Sequence, residues 1–259
     1  MEGFWDYLTA RTAFNRIAFS FLVYAVFAGG AYFIFYVWKK RDWLWRRVQA
    51  RDPKPGQLRH ELAWSALTRL IFGLINIGIG WYVFKDQTLL YYDVAERGWA
   101  YAVASFFGLV LFHDAYFYWS HRLMHHKWVY KTVHKVHHHS TNPTPLASFA
   151  FHWTETIVEI LPFPIIVFFV PMHIGVFLAG LAFQITFNVV GHSGFEIMPR
   201  GWTRHPVLKY INTPTHHNMH HHRFNWNYSL YFNWWDRWFG TMHPDYEKLF
   251  ASIHDKRPA

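Results

Sequence analysis

Histidine carries most of the chemistry written into this chain. His121 and His125 read H-x-x-x-H, His134, His137 and His138 read H-x-x-H-H, and His217, His220 and His221 repeat the second pattern further on. Residues three and four apart share one side of a helix, so each box can aim its imidazoles at a common point. Eight imidazoles are enough for two metal ions. The chain has no cysteine, which excludes disulfides, thiolate ligands, iron–sulfur clusters and cysteine nucleophiles. Nitrogen sites without sulfur suit zinc, copper, iron or nickel. A structural zinc closes with four ligands, whereas eight clustered histidines suit a dinuclear centre with positions left open for a substrate or dioxygen. Oxidising an inert lipid would demand iron or copper, because zinc has no redox couple.

Other residues take their readings from these boxes. Asp114 lies seven residues before His121, two turns away on nearly the same face, and is a candidate acceptor for the second ring nitrogen of a ligand; the alternative is an ion pair with Arg122 or Arg237. His139, His216 and His222 adjoin box members but face about 100° away, which favours supporting or solvated roles over ligation, with His216 kept as a possible ligand or supporting residue. His113 reads as a satisfied core histidine, and Asp236 and Arg237 as structural.

Long apolar blocks must position the boxes. Hydrophobic residues make up 52% of the chain and aromatics 22%, more than a soluble core needs. Ile17 to Trp38 carries no charge and is long enough for a hydrocarbon layer about 30 Å thick. Residues 1–16 lack a basic start and no small-residue cleavage pattern follows, so the block is expected to remain as a span. Leu70 to Phe84, with a lead-in from Trp64, is a second block, in which Arg69 sits near one end where it could snorkel. Trp99 to Trp119 is a third and runs into the first box. The fourth, residues 157–190, contains Pro162, Pro164 and Pro171 and is too long for one crossing, which predicts a bent hairpin. Boxes on either side of this block must meet, so it has to leave their side of the membrane and return.

Charge sets the expected orientation. Residues 39–60 hold eight Lys and Arg, whereas residues 85–98 hold Lys85 and Arg97 against Asp86, Asp93 and Glu96; the first loop is therefore expected on the cytoplasmic face, and three spans then bring His121 to it. The net charge of +9 follows from this asymmetry and from contact with anionic headgroups. The cations are not interleaved with a nucleic-acid-binding motif, so no nucleic-acid partner is expected. No repeat or linker divides the chain, and residues 1–259 are expected to form one membrane domain.

Beyond the boxes, HDAYFYWSHRLMH at 113–125, VYKTVHKVHHHSTNPTPLASFAFH at 129–152, GHSG at 191–194 and HNMHHHRFNWNYSLYFNWWDRWFGT at 217–241 resemble blocks of the fatty acid hydroxylase and sterol desaturase superfamily of membrane-bound di-iron oxygenases. PTPLASFAFH and FNWNY are most similar to the sterol C-5 desaturase-like branch. The resemblance covers about half of the chain, in order. It implies an all-α integral membrane protein of three full transmembrane helices plus the hairpin, with a cytoplasmic helical cap around a dinuclear site. It implies metal ligation by His121, His125, His134, His137, His138, His217, His220 and His221, and by His192 in GHSG; His152 either ligates or is a buried, hydrogen-bonded neighbour. It further implies two iron ions, replaceable by zinc in purified protein, dioxygen as cosubstrate, and hydroxylation or desaturation of a lipid in a bacterial inner membrane or the endoplasmic reticulum. With no flavin fingerprint or haem domain in view, electrons are expected from a separate reductase with ferredoxin or cytochrome.

Two other classes compete. A histidine-rich metal transporter would place its ligands near the bilayer midplane, whereas these boxes follow the spans. A metal-dependent lipid hydrolase would recruit carboxylates as base and bridge, and the boxes contain none. Neither the lipid nor the choice between an alcohol and an alkene can be read from the residues.

Overall fold

The computed structural model describes residues 10–256. Four helices are long and apolar enough to cross a membrane: α1 (Arg11–Trp38), α2 (Gln57–Phe84), α3 (Gly98–Met124) and α7 (Ile174–Gly191). Between them lie the short helices α4 (Tyr130–Val133), α5 (Trp153–Ile160) and α6 (Pro162–Phe169), and after them α8 (Pro214–Arg223), α9 (Trp234–Trp238) and α10 (Tyr246–Asp255). Phe14, Phe19, Leu22 and Val26 on α1 and Val103, Phe107 and Leu111 on α3 are exposed. Apolar side chains turned outward in rows mark a lipid-facing exterior and a multi-pass membrane protein.

The 157–190 block folds back on itself and proline shapes the break. Its return limb, Ile174–Gly191, is however long and apolar enough to cross a membrane alone, so four candidate spans stand where three plus a hairpin are expected. The chain breaks after Ile160 and restarts with Pro162 in the first turn of α6, where a missing N–H costs nothing. Pro171 falls in the turn to α7. That turn is pinned by a two-residue parallel pairing of β1 (Leu90–Tyr91) with β2 (Met172–His173), in register Leu90 to Met172 and Tyr91 to His173. Strand β1 belongs to the connection between α2 and α3, at the end of α3 away from the histidines. Thus α5 and α6 lead away from the boxes and α7 returns to them.

Close helix contact rests on small residues. A side chain at Gly73 of α2 would meet the Ile17 backbone of α1 at 2.9 Å, and one at Gly180 of α7 would collide with the Leu109 side chain of α3. Arg69 departs from the snorkelling expectation. Helix α2 begins at Gln57, so Arg69 lies about 18 Å along it. Its side chain does not reach outward: it is 4% exposed and donates from Nε to the Ser20 carbonyl at 3.1 Å.

Candidate metal centre

Two membrane helices and the cap deliver nine histidines to one place. The end of α3 carries His121 and His125, the end of α7 leads into His192, and α8 carries the last box. Helix α8 starts in sequence-encoded fashion: the Thr213 hydroxyl accepts from His216 N at 3.3 Å and Pro214 occupies the first turn. Glu196, buried, adds a second anchor by accepting from Thr215 N at 3.0 Å. Phe224 ends the helix at φ 62°, a conformation that costs a bulky residue about 1–3 kcal/mol, and its ring lies 5.1 Å from that of His138. The second box is not one helix. His134 follows α4, and His137 and His138 begin a separate 3₁₀ turn.

These histidines fall into two groups in which one nitrogen from each ring lies within 4.8 Å of the others: His121, His125, His134, His138 and His220 in the first, His137, His192, His217 and His221 in the second. All nine residues expected as ligands are brought together, but the boxes do not each converge on one point. The i, i+4 pairs 121/125, 134/138 and 217/221 stay together, and the third member of each longer box goes to the other group. The groups adjoin, with the rings of His138 and His221 4.7 Å apart.

Hydrogen bonding shows what the cluster is built to hold. His192 Nδ1 lies 2.7 Å from the Asn188 carbonyl and His221 Nδ1 3.0 Å from the Ser140 carbonyl. A carbonyl only accepts, so each Nδ1 carries the proton and each Nε2 presents a bare lone pair. Yet those two Nε2 atoms are 3.1 Å apart. His121 and His220 are fixed in the same way by the carbonyls of Tyr228 and Trp226, both at 2.7 Å, and His134 Nδ1 lies 2.7 Å from Glu155 Oε1. Their Nε2 atoms close on neighbours at 3.0 Å (His121 to His134), 3.1 Å (His125 to His220) and 2.9 Å (His138 to His220). Facing lone pairs repel unless a cation lies between them. A proton is disfavoured, because burial, reinforced by neighbouring imidazoles, holds His134, His137, His138, His217, His220 and His221 well below the ordinary histidine value and pushes His192 down to about 4. A metal fits: bonds of about 2.1 Å meeting at right angles separate two nitrogens by about 3.0 Å.

Other expected residues take different places. Asp114 supports no ligand ring; its carboxylate accepts from the backbone N–H of Tyr231 at 3.0 Å and from Trp235 Nε1 at 3.0 Å, tying α3 to the C-terminal segment. It pairs with neither Arg122 nor Arg237. His152 lies outside both groups, with Nδ1 2.8 Å from the Thr154 hydroxyl and its ring 5.7 Å from that of Trp64. His216 points to Asp236, with Nε2 3.2 Å from Oδ2, and not into either group. Asp236 also accepts from Tyr228 N at 2.8 Å and Ser229 N at 3.0 Å, so it shapes the loop whose carbonyl orients His121. His139 and His222 are exposed, and His113 is buried 3.1 Å from the Tyr231 hydroxyl.

Glu155 is the residue that sequence reasoning missed. Its signal is a carboxylate at the edge of an apolar block, the same kind of signal that Asp114 carries.

The sequence profile of the fatty acid hydroxylase family matches residues 106–241. A Delta(7)-sterol 5(6)-desaturase of Aspergillus fumigatus is 33% identical over 78% of this chain and 67% of its own length. One of Gibberella zeae is 35% identical over 71% of this chain and 56% of its own. Lathosterol oxidase of Mus musculus is 36% identical over 62% of this chain and 53% of its own. The chain thus spans between half and two thirds of the length of these relatives. No solved structure matches it significantly. The profile takes in every histidine of both groups, and this chain belongs to the fatty acid hydroxylase family.

Proposed function

We propose that the protein is a membrane-bound oxygenase that hydroxylates or desaturates a lipid, using dioxygen and electrons from a separate donor. Residues 1–259 act as one domain. His121, His125, His134, His138 and His220 hold one iron ion, and His137, His192, His217 and His221 hold the second. The observation that carries the reading is the pair of adjoining groups of buried Nε2 lone pairs, in a chain whose relatives are named as sterol desaturases and lathosterol oxidases. Bound iron supplies the oxidising power for an unactivated C–H bond.

The chain's own residues do the rest. Carbonyls of Tyr228, Trp226, Asn188 and Ser140 keep the Nδ1 protons in place, so that each Nε2 is aimed without reorganisation. Glu155 accepts the Nδ1 proton contact of His134 and raises the basicity of that ring. Phe117 and Phe151, with ring centroids 4.9 Å from His121 and 5.1 Å from His137, help to keep bulk water from the centre. An apolar cavity of about 150 Å³, walled by Phe187, Val190, Leu230 and His217, offers space for a hydrocarbon segment beside the second group. Loop 39–60 and the histidine cap lie on the cytoplasmic side, in a bacterial inner membrane or the endoplasmic reticulum.

Comparative lipid mass spectrometry of cells with and without the gene tests the activity. One lipid class should gain a hydroxyl oxygen or lose two hydrogens only when the gene is present. Identical lipid profiles under conditions of confirmed expression would refute it.

A further inference from the structure

An apolar cavity of about 380 Å³ opens among α1, α2, α6 and α7, within the size range of ligand sites at roughly 300–1,000 Å³. Its wall is hydrocarbon and aromatic except for Ser20, Arg69, Asn76 and Gln184. Arg69 is the anomaly. Among the described residues no carboxylate pairs with it, and its Nη1 is buried without a hydrogen-bond partner. Nε is held by the Ser20 carbonyl at 3.1 Å, and the guanidinium lies 4.3 Å from the Phe149 ring centroid and 5.1 Å from that of Phe72. Ring faces hold the charge in position without saturating its donors. A permanent cation with a free N–H at membrane depth is costly unless an oxygen acceptor comes to it.

We propose that this cavity binds a lipid by an oxygen at one end of an apolar body, with Arg69 Nη1 donating to that oxygen. A fatty carboxylate and a sterol-type hydroxyl offer the same acceptor. Phe149 lines the cavity, and Phe151 lies between Phe149 and His137, with ring centroids 6.2 Å and 5.1 Å away respectively. Two aromatic rings therefore separate the bound lipid from the second histidine group. Capture at Arg69 needs no metal, so it stands apart from the oxygenase reading, and either can fail without the other.

The test uses the full chain in nanodiscs, both metal-free and iron-loaded, with three photoreactive diazirine probes of matched chain bulk: a fatty acid, a sterol and an alkane. Crosslinked peptides are read by mass spectrometry. The fatty acid or the sterol should label the cavity segments of α1 and α7 whether or not metal is bound, and the stronger of the two identifies the source of the oxygen. Arg69→Met should reduce that labelling at least tenfold, and Arg69→Lys should retain most of it. Leu181→Trp, which fills the cavity and leaves the cation in place, should abolish labelling and decides the matter if Arg69→Met does not fold. Labelling by the alkane equal to that by the oxygen-bearing probes, undiminished labelling in folded Arg69→Met, or no labelling of these segments would overturn the proposal.

Discussion

Each imidazole at the centre has two nitrogens with separate duties, and the variants that test the site follow from that division. Replacing His192 by Ala removes an Nε2 that lies 3.1–3.2 Å from those of His137, His217 and His221, and should lower bound iron from two equivalents toward one while leaving the first group loaded. Elemental analysis of the purified variant checks this. Glu155→Ala strips His134 of its acceptor and should weaken metal retention or activity roughly 10–100-fold, whereas Glu155→Gln, which keeps an acceptor oxygen, should recover most of the loss; titration with a chelator reads the difference. His139→Ala and His222→Ala should leave turnover largely intact, because both side chains are exposed and outside the two groups. That the nine histidines would cluster was legible because histidine spacing survives any detail of backbone. Their partition was not: the second box crosses from α4 into a 3₁₀ turn, and even on the continuous α8 the adjacent His220 and His221 point about 100° apart and enter different groups. The outer contacts were less legible still. Most are backbone carbonyls, which leave no mark on residue identity, and the one carboxylate among them competed with Asp114, whose partners lie more than a hundred residues away.

At the level of helices, the same centre depends on small residues that let long elements approach. Gly73→Leu should drive α1 from α2, because the new side chain meets the Ile17 backbone, which has no rotamer to yield. The expected loss is about 1–3 kcal/mol, read as a lower thermal midpoint in detergent. Gly78→Ala, with nothing within 4 Å of the added carbon, is the matched control and should move the midpoint little. The four apolar blocks and the proline break within the last of them were legible from hydropathy, whereas the length of Ile174–Gly191 as a candidate crossing of its own was not. The pairing of Leu90 with Met172 did not, since two-residue strands carry no periodicity to read. The start of α2 was also hidden, because Gln57, Glu61 and Arg69 interrupt its apolar pattern and are buried by partners that only the fold supplies.

The molecule as a whole has an apolar exterior around a polar, histidine-filled head, and its orientation can be tested without first removing native thiols because it has no cysteine. Cysteines placed singly at Lys54 and His139 should react with a membrane-impermeant maleimide only from the cytoplasmic side, and a cysteine at Asp93 only from the opposite side. The reversed pattern would invert the proposed topology, and the same pattern from both faces would overturn it. The proposed oxidation of a lipid by two adjoining irons in the histidine head depends on both metal groups. It is tested most directly by loading the purified protein anaerobically with ferrous iron, counting the metal, and then adding dioxygen with lipid extract and reductant while oxygen uptake and lipid products are followed together. Two iron equivalents per chain are expected, with oxygen uptake that depends on the lipid and is lost with His192→Ala, and a hydroxylated or desaturated product. Fully active protein with one iron or none, or lipid oxidation that survives loss of His192, would contradict the proposal.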